Sequence, residues 1–259
     1  MSTPDVPVAA RDAATVVLLR DGRQGLQTWL LTRRTTLAFA AGMSVYPGGR
    51  VDTEDVDVPL ARPDRAAEIA AAYGIELERA HVILVAAARE TFEETGVLLT
   101  LPTAPTGLED VRTALEAREV GFAAVLAERG LLVDGDAFRP FARWLTPEAE
   151  PRRYDTFFFV AALPAGMEAR DVTTESTSAT WVDVASVLSG DAVLMPPTQV
   201  TLEALSRHPV VDDVLAAATD ADLAQIMPVL EDTESGFVVH LPDGRRIALR
   251  RRASEKPAP

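Results

Sequence analysis

The chain has 259 residues, 47% apolar and 25% charged, ordinary proportions for a soluble globular protein with one large domain or a core plus an extension. It has no cysteine, which excludes disulfides, thiolate catalysis and cysteine-ligated metal centres; the only lysine is Lys256, which excludes a G-K-[ST] phosphate loop; and His81, His208 and His240 are too scattered for a histidine cage. A formal charge of −14 argues against nucleic-acid and anionic-membrane partners, so a phosphate substrate would need divalent cations or local arginines to offset the repulsion.

The opening MSTPDVPVAARD lacks the basic-then-apolar pattern of a secretory leader, and the resulting expectation is a cytoplasmic protein. Residues 1–11 and 253–259 read as flexible tails. Strands are predicted at 14–19 and 26–32, with Asp21-Gly22 as the turn between them, and a short extended piece ends in Val45-Tyr46-Pro47-Gly48-Gly49. Helices follow at 63–73, stopped by Gly74, and at 78–95, stopped by Gly96. A strand is predicted at 97–101, then one amphipathic helix over 108–129 that ends at Gly130. Further strands are predicted at 141–145, 156–163 and 179–182. A short helix follows Asp183, one starting near Met195-Pro196-Pro197 runs through Arg207, and another covers 210–218. Segments 236–241 and 245–250 flank Pro242-Asp243-Gly244 and read as a hairpin, a structural element or a homodimer contact. Strands and helices interleave, so the class is α/β.

The stretch Arg89-Glu90-Thr91-Phe92-Glu93-Glu94-Thr95-Gly96 carries the chemistry. On a helix, Glu90, Glu93 and Glu94 stand at i, i+3 and i+4, within about 6 Å of one another on one face. They also lie near the helix C-terminus, where the macrodipole disfavours anions. Folding gains nothing from this arrangement, whereas a hard dication such as Mg²⁺ or Mn²⁺ would. The alternative is a solvated face with an Arg89–Glu93 ion pair.

This stretch resembles the second half of the Nudix box, R-E-U-x-E-E-x-G-U, with Thr91 where an aliphatic residue is usual. Tyr46-Pro47-Gly48-Gly49-Arg50-Val51-Asp52 is similar to the entry to that box. The acid that usually follows falls on Asp55, a shorter carboxylate, with Glu54 beside it. Residues 56–88 then intervene where the usual gap is far shorter. A box split in this way, preceded by Leu30-Leu31-Thr32-Arg33-Arg34, Phe39, Gly42 and Val45, resembles the peroxisomal-type coenzyme A diphosphatases and their bacterial relatives. Trp144-Leu145-Thr146-Pro147, Arg152 to Phe158 and Leu194 to Thr198 add to the likeness.

The resemblance implies a Nudix α/β/α sandwich with a mixed central sheet, helical insertions and a C-terminal extension. The Nudix domain would span 12–206, with an insertion at 56–80 and a helical insert at 105–135; 207–252 would be the extension. It implies metal-dependent hydrolysis of a diphosphate bridge in a nucleoside diphosphate derivative, with coenzyme A or acyl-CoA as substrate and 3′,5′-ADP and phosphopantetheine as products. ADP-ribose or NADH is the alternative substrate, and a catalytically silent ligand sensor is the alternative class. Glu90, Glu93, Glu94 and Gly49 would hold Mg²⁺ or Mn²⁺. Arg89 would orient a glutamate. Glu93, Glu94 or the outside acid Glu175, in the segment Glu175 to Trp181, would activate water. Arg34, Gly48, Arg152, Arg153 and Tyr154 would bind substrate, unless Arg152 and Arg153 instead form a strand-edge ion pair with Asp155.

Overall fold

The computed structural model describes residues 8–34, 42–173, 176–190, 192–234 and 236–250. The chain opens with strands β1 (Arg11–Gly22) and β2 (Gly25–Arg33), joined by a turn at Arg23-Gln24. The turn thus lies two residues beyond the expected Asp21-Gly22, because Gly22 still pairs with Gly25. Two short strands, β3 (Ser44–Val45) and β4 (Gly48–Arg50), lead to a 3-10 turn at Thr53–Asp57. Helices α1 (Asp64–Tyr73) and α2 (Leu77–Thr95) end on Gly74 and Gly96, both left-handed, as glycine permits.

Next come β5 (Thr100–Leu101), α3 (Glu109–Glu116), α4 (Phe122–Arg129) and β6 (Leu132–Val133). The strand expected over 97–101 shrinks to its last two residues. The single helix expected over 108–129 is two. Arg118 takes a left-handed φ of 57° just past α3, and Gly121 is the extended N-cap of α4. The Arg118 amide donates to Leu115 O and the Glu119 amide to Ala114 O, closing a Schellman motif with arginine where glycine is usual. With no glycine at position 118, only Gly121 in the sequence hints at this break.

The remaining strands are β7 (Arg139–Leu145), β8 (Tyr154–Ala162), β9 (Ser176–Asp183), β10 (Gln225–Ile226), β11 (Val229–Thr233), β12 (Gly236–His240) and β13 (Arg246–Arg250). Helices α5 (Val184–Leu188), α6 (Pro196–Leu205) and α7 (Val211–Ala217) lie among them. Eight strands make one mixed sheet in the order β10-β7-β8-β1-β2-β3, with β4 also on β1 and β9 also on β2. β1 and β8 run parallel at its centre and are buried on both faces, hence their near-continuous apolar runs. Ala14, Val16, Leu18, Phe157 and Phe159 point to the face covered by α1 to α4. Val17, Leu19, Phe158 and Val160 point to the face covered by α5 to α7 and the separate sheet β11-β12-β13.

The stretch that splits the box is part of the core. Ile69 and Tyr73 of α1 are buried, and the Tyr73 hydroxyl donates to Phe158 O at 2.6 Å across to β8. Residues 8–11, expected in a frayed tail, are tied to the body: Arg153 donates to Val8 O and the Arg11 amide to Arg153 O. Among the described residues no helix is long and apolar enough to cross a membrane.

Candidate active site

On one edge, β1 changes partner along its length. Ala13 to Thr15 pair with β4, and Leu19 to Gly22 pair with β2. The register sets Gly48 against Thr15 and Gly49 against Ala14. Helix α2 packs on this fork through its buried face, which includes Ile83, Leu84, Ala88 and Phe92. The face toward β4 is the acidic one. Thr91, the residue out of keeping with the box, is fully buried. Its hydroxyl donates back to Ala87 O at 2.7 Å, which leaves its methyl to pack as an aliphatic side chain would.

Arg89 organises the acids. It donates to both oxygens of Asp55 at 2.9 and 3.0 Å, to Glu90 at 2.8 Å, to Glu93 at 3.2 Å and to Arg50 O at 2.9 Å. Asp55 is 1% exposed and is also fixed by the Asp52 amide at 2.7 Å. The long excursion between Asp55 and Arg89 therefore closes on itself, and the shorter carboxylate reaches the arginine. Glu54 is exposed and turned toward Gly121. The two glycines place Asp55 at the acid position of the box, but the long excursion in the chain conceals its pairing with Arg89.

Gly48 is required by the backbone beside it, and Gly49 leaves the Glu90 carboxylate its place. A Cβ on Gly48 would strike Ala14 O, and one on Gly49 would strike the Glu90 carboxylate. The Gly48 amide donates to Glu94 at 2.8 Å. Burial pushes the Glu90 carboxyl up to about 7, partly opposed by Arg89 and reinforced by Glu93 and Asp55. Burial also raises Glu93, against the pull of Arg89. At the end of α2, Arg112 donates to Glu93 O at 3.0 Å, placing a cation at the negative pole of the helix.

Among the described residues no three acidic or histidine side chains stand close enough to form a finished ligand set: Glu90 and Glu93 lie on Arg89, and Glu94 on the Gly48 amide. The donors nonetheless suit a hard dication, being carboxylates in excess of the one arginine they share, two of them held partly out of water.

These residues line a cleft of about 1270 Å³. Gly48, Gly49, Arg89, Glu90, Glu93, Glu94, Arg152, Arg153 and Tyr154 all border it. Their roles in binding differ from expectation at two positions. Arg153 is 8% exposed and spends its guanidinium on Thr146 O, Val8 O and the Met227 sulfur, so it braces backbone. Arg152 beside it is exposed. Arg34 donates to Ser176 O, and it is Arg33 that borders the cleft. Asp155 pairs with Arg143 and Arg79, not with Arg152 or Arg153. Glu175 lies outside the described residues, while Trp181 stacks edge-on against Trp29 at 5.4 Å. Sequence reasoning also missed Arg118, which borders the cleft and faces Asp52 at 3.6 Å.

The family described as the NUDT19 Nudix domain matches residues 60–204, more than half of the chain. A Caenorhabditis elegans protein carrying the name nudix hydrolase 7 is 28% identical over 76% of this chain, which spans 61% of that protein. The acyl-coenzyme A diphosphatase NUDT19 of Xenopus laevis is 23% identical over 82% of this chain and 69% of its own. Among solved structures, a Nudix hydrolase from Alicyclobacillus acidocaldarius is 28% identical with a TM-score of 0.66, covering 81% of this chain and 96% of that one.

Proposed function

The chain belongs to the Nudix hydrolase family, and we propose that it is a Mg²⁺-dependent diphosphatase whose substrate is coenzyme A or an acyl-coenzyme A. The observation that carries this reading is the convergence of Asp55, Glu90 and Glu93 on Arg89, with Glu94 alongside, at the Gly48-Gly49 wall of a large cleft. The substrate follows the name of the Xenopus laevis relative and the split box.

Hydrolysis of a P–O–P bridge requires water to attack one phosphorus while charge builds on the departing phosphate. Glu90, Glu93, Glu94 and the Gly49 backbone would hold the dication, which when bound screens phosphate charge and acidifies water. Arg89 keeps Glu90 and Glu93 in place through charge-assisted hydrogen bonds. Glu93, 20% exposed on the cleft side, takes the proton from the attacking water. Arg152 and Arg33 offset the phosphate charge at the rim. Atoms balance as one water consumed, with 3′,5′-ADP and a phosphopantetheine released.

Purified protein incubated with Mg²⁺ and coenzyme A, octanoyl-CoA, ADP-ribose, NADH and a nucleoside triphosphate, with products identified by mass spectrometry, tests the reading. The expected result is 3′,5′-ADP from the two coenzyme A compounds at the highest rate. AMP from ADP-ribose or NADH alone would overturn the substrate and keep the chemistry.

A further inference from the structure

The cleft extends well beyond the carboxylates. Its far wall is the sheet β11-β12-β13, beyond the segment that matches the family. Leu230 pairs with Val239, which pairs with Ile247, and Phe237 pairs with Leu249, so these side chains share one face of the sheet. Val239 and Ile247 seal that face against the core, while Phe237 stays 36% exposed at the cleft. Tyr46, Trp144 and Phe158 border the same cleft and belong to the same apolar cluster as Val239 and Ile247.

Tyr46 and Trp144 are each 4% exposed, and neither the hydroxyl nor the indole N–H has a hydrogen-bond partner among the described residues. Buried donors are normally satisfied, so two orphans on residues that border one cleft point to acceptor oxygens from outside the protein. The volume agrees, since about 1270 Å³ exceeds the roughly 300–1,000 Å³ of ordinary small-molecule sites.

We infer that the C-terminal sheet, with Tyr46 and Trp144, is the subsite for the non-nucleotide half of the substrate, an apolar chain carrying carbonyl oxygens, and that Phe237 sets the preference for an apolar terminus. The inference rests on the diphosphatase reading above and adds to it the residues that discriminate. Tyr46 and Trp144 donate to carbonyls of the chain, and the apolar end lies on Phe237 and Leu249.

The test is the ratio of kcat/KM for octanoyl-CoA to that for coenzyme A, read from 3′,5′-ADP release. The wild-type chain is expected to favour octanoyl-CoA at least tenfold. Phe237→Ala lowers that ratio about tenfold, and Phe237→Leu recovers most of it. Trp144→Phe raises KM for both substrates together. A purely structural sheet would move both substrates alike, so an unchanged ratio in Phe237→Ala overturns the inference with the diphosphatase reading intact. A wild-type ratio of one or less overturns it without any variant. Release of 3′,5′-ADP from neither compound overturns the substrate reading and this subsite with it.

Discussion

Helix α2 carries a charge network at each end, and the two are built on opposite principles. Near its start, Arg79 and Arg143 face Asp12 and Asp155: Arg79 donates to both aspartates and Arg143 grips Asp155 with two hydrogen bonds. Two cations meet two anions, and the aromatic ring of Phe157 lies beneath both guanidinium groups. Near its end, Arg89 alone faces Asp55, Glu90 and Glu93, with Glu94 beside them. The first network is complete without any ligand. The second has carboxylates to spare, and burial makes its unpaired charge costly. A helix thus shows which of its ends serves structure and which serves chemistry by whether its charges close.

That contrast can be broken by substitution. Glu93→Gln should lower kcat/KM for the best substrate by about 10²- to 10³-fold while the melting temperature holds or rises, because the variant removes a charge from an overfilled cluster. Product release and thermal denaturation measured on one preparation check it; a fall in stability equal to that of a core variant would contradict the contrast. Arg89→Ala should be the most destabilising change at this end, by about 3–5 kcal/mol in urea unfolding, since it strands the buried Asp55.

Mg²⁺ should then separate the two ends. At about 100 times its dissociation constant it should stabilise the wild-type chain by about 2.7 kcal/mol, and Glu93→Gln by much less, with no dependence on the balanced network. Asp155→Asn should cost about 2 kcal/mol and leave the cation response in place. Burial acts to raise the Asp155 carboxyl, but hydrogen bonds from Arg143 and Arg79 outweigh it and hold it below the usual range. A lowered carboxylate contributes stability above its unfolded pKa, near 4, and loses it as pH falls through the folded value. The gap between wild type and Asp155→Asn should therefore be full at pH 6 and close in acid unfolding below about pH 4. The smallest effect is expected at Arg118: glycine there relieves a left-handed φ, so Arg118→Gly should gain up to about 1 kcal/mol of stability and lose some turnover.

Much of this was legible in the residues. The central strands, α1, α2, α6, α7 and the C-terminal hairpin follow from periodicity and from glycine and proline stops, and the acidic face of α2 follows from i, i+3, i+4 spacing. What stayed hidden has two physical sources. One is tertiary closure: Asp55 reaches Arg89 across a folded excursion, and Arg153 is spent on the carbonyl of Val8, contacts that no local pattern encodes. The other is conformation without its usual residue: Arg118 takes the left-handed position that glycine normally marks, so one helix was expected where two exist.

The parallel pairing of β1 with β8 also sets the order in which the chain can fold. Arg11 must wait for Tyr154, and until β8 is made the run from Val16 to Leu19 lacks the strand that pairs along its whole length, the hairpin with β2 reaching only Leu19 to Gly22. Such long-range parallel pairing slows folding and leaves apolar strand edges exposed during synthesis. The same strand that frames the finished site is therefore the part of the nascent chain most in need of a chaperone, and truncations that stop before β8 should aggregate.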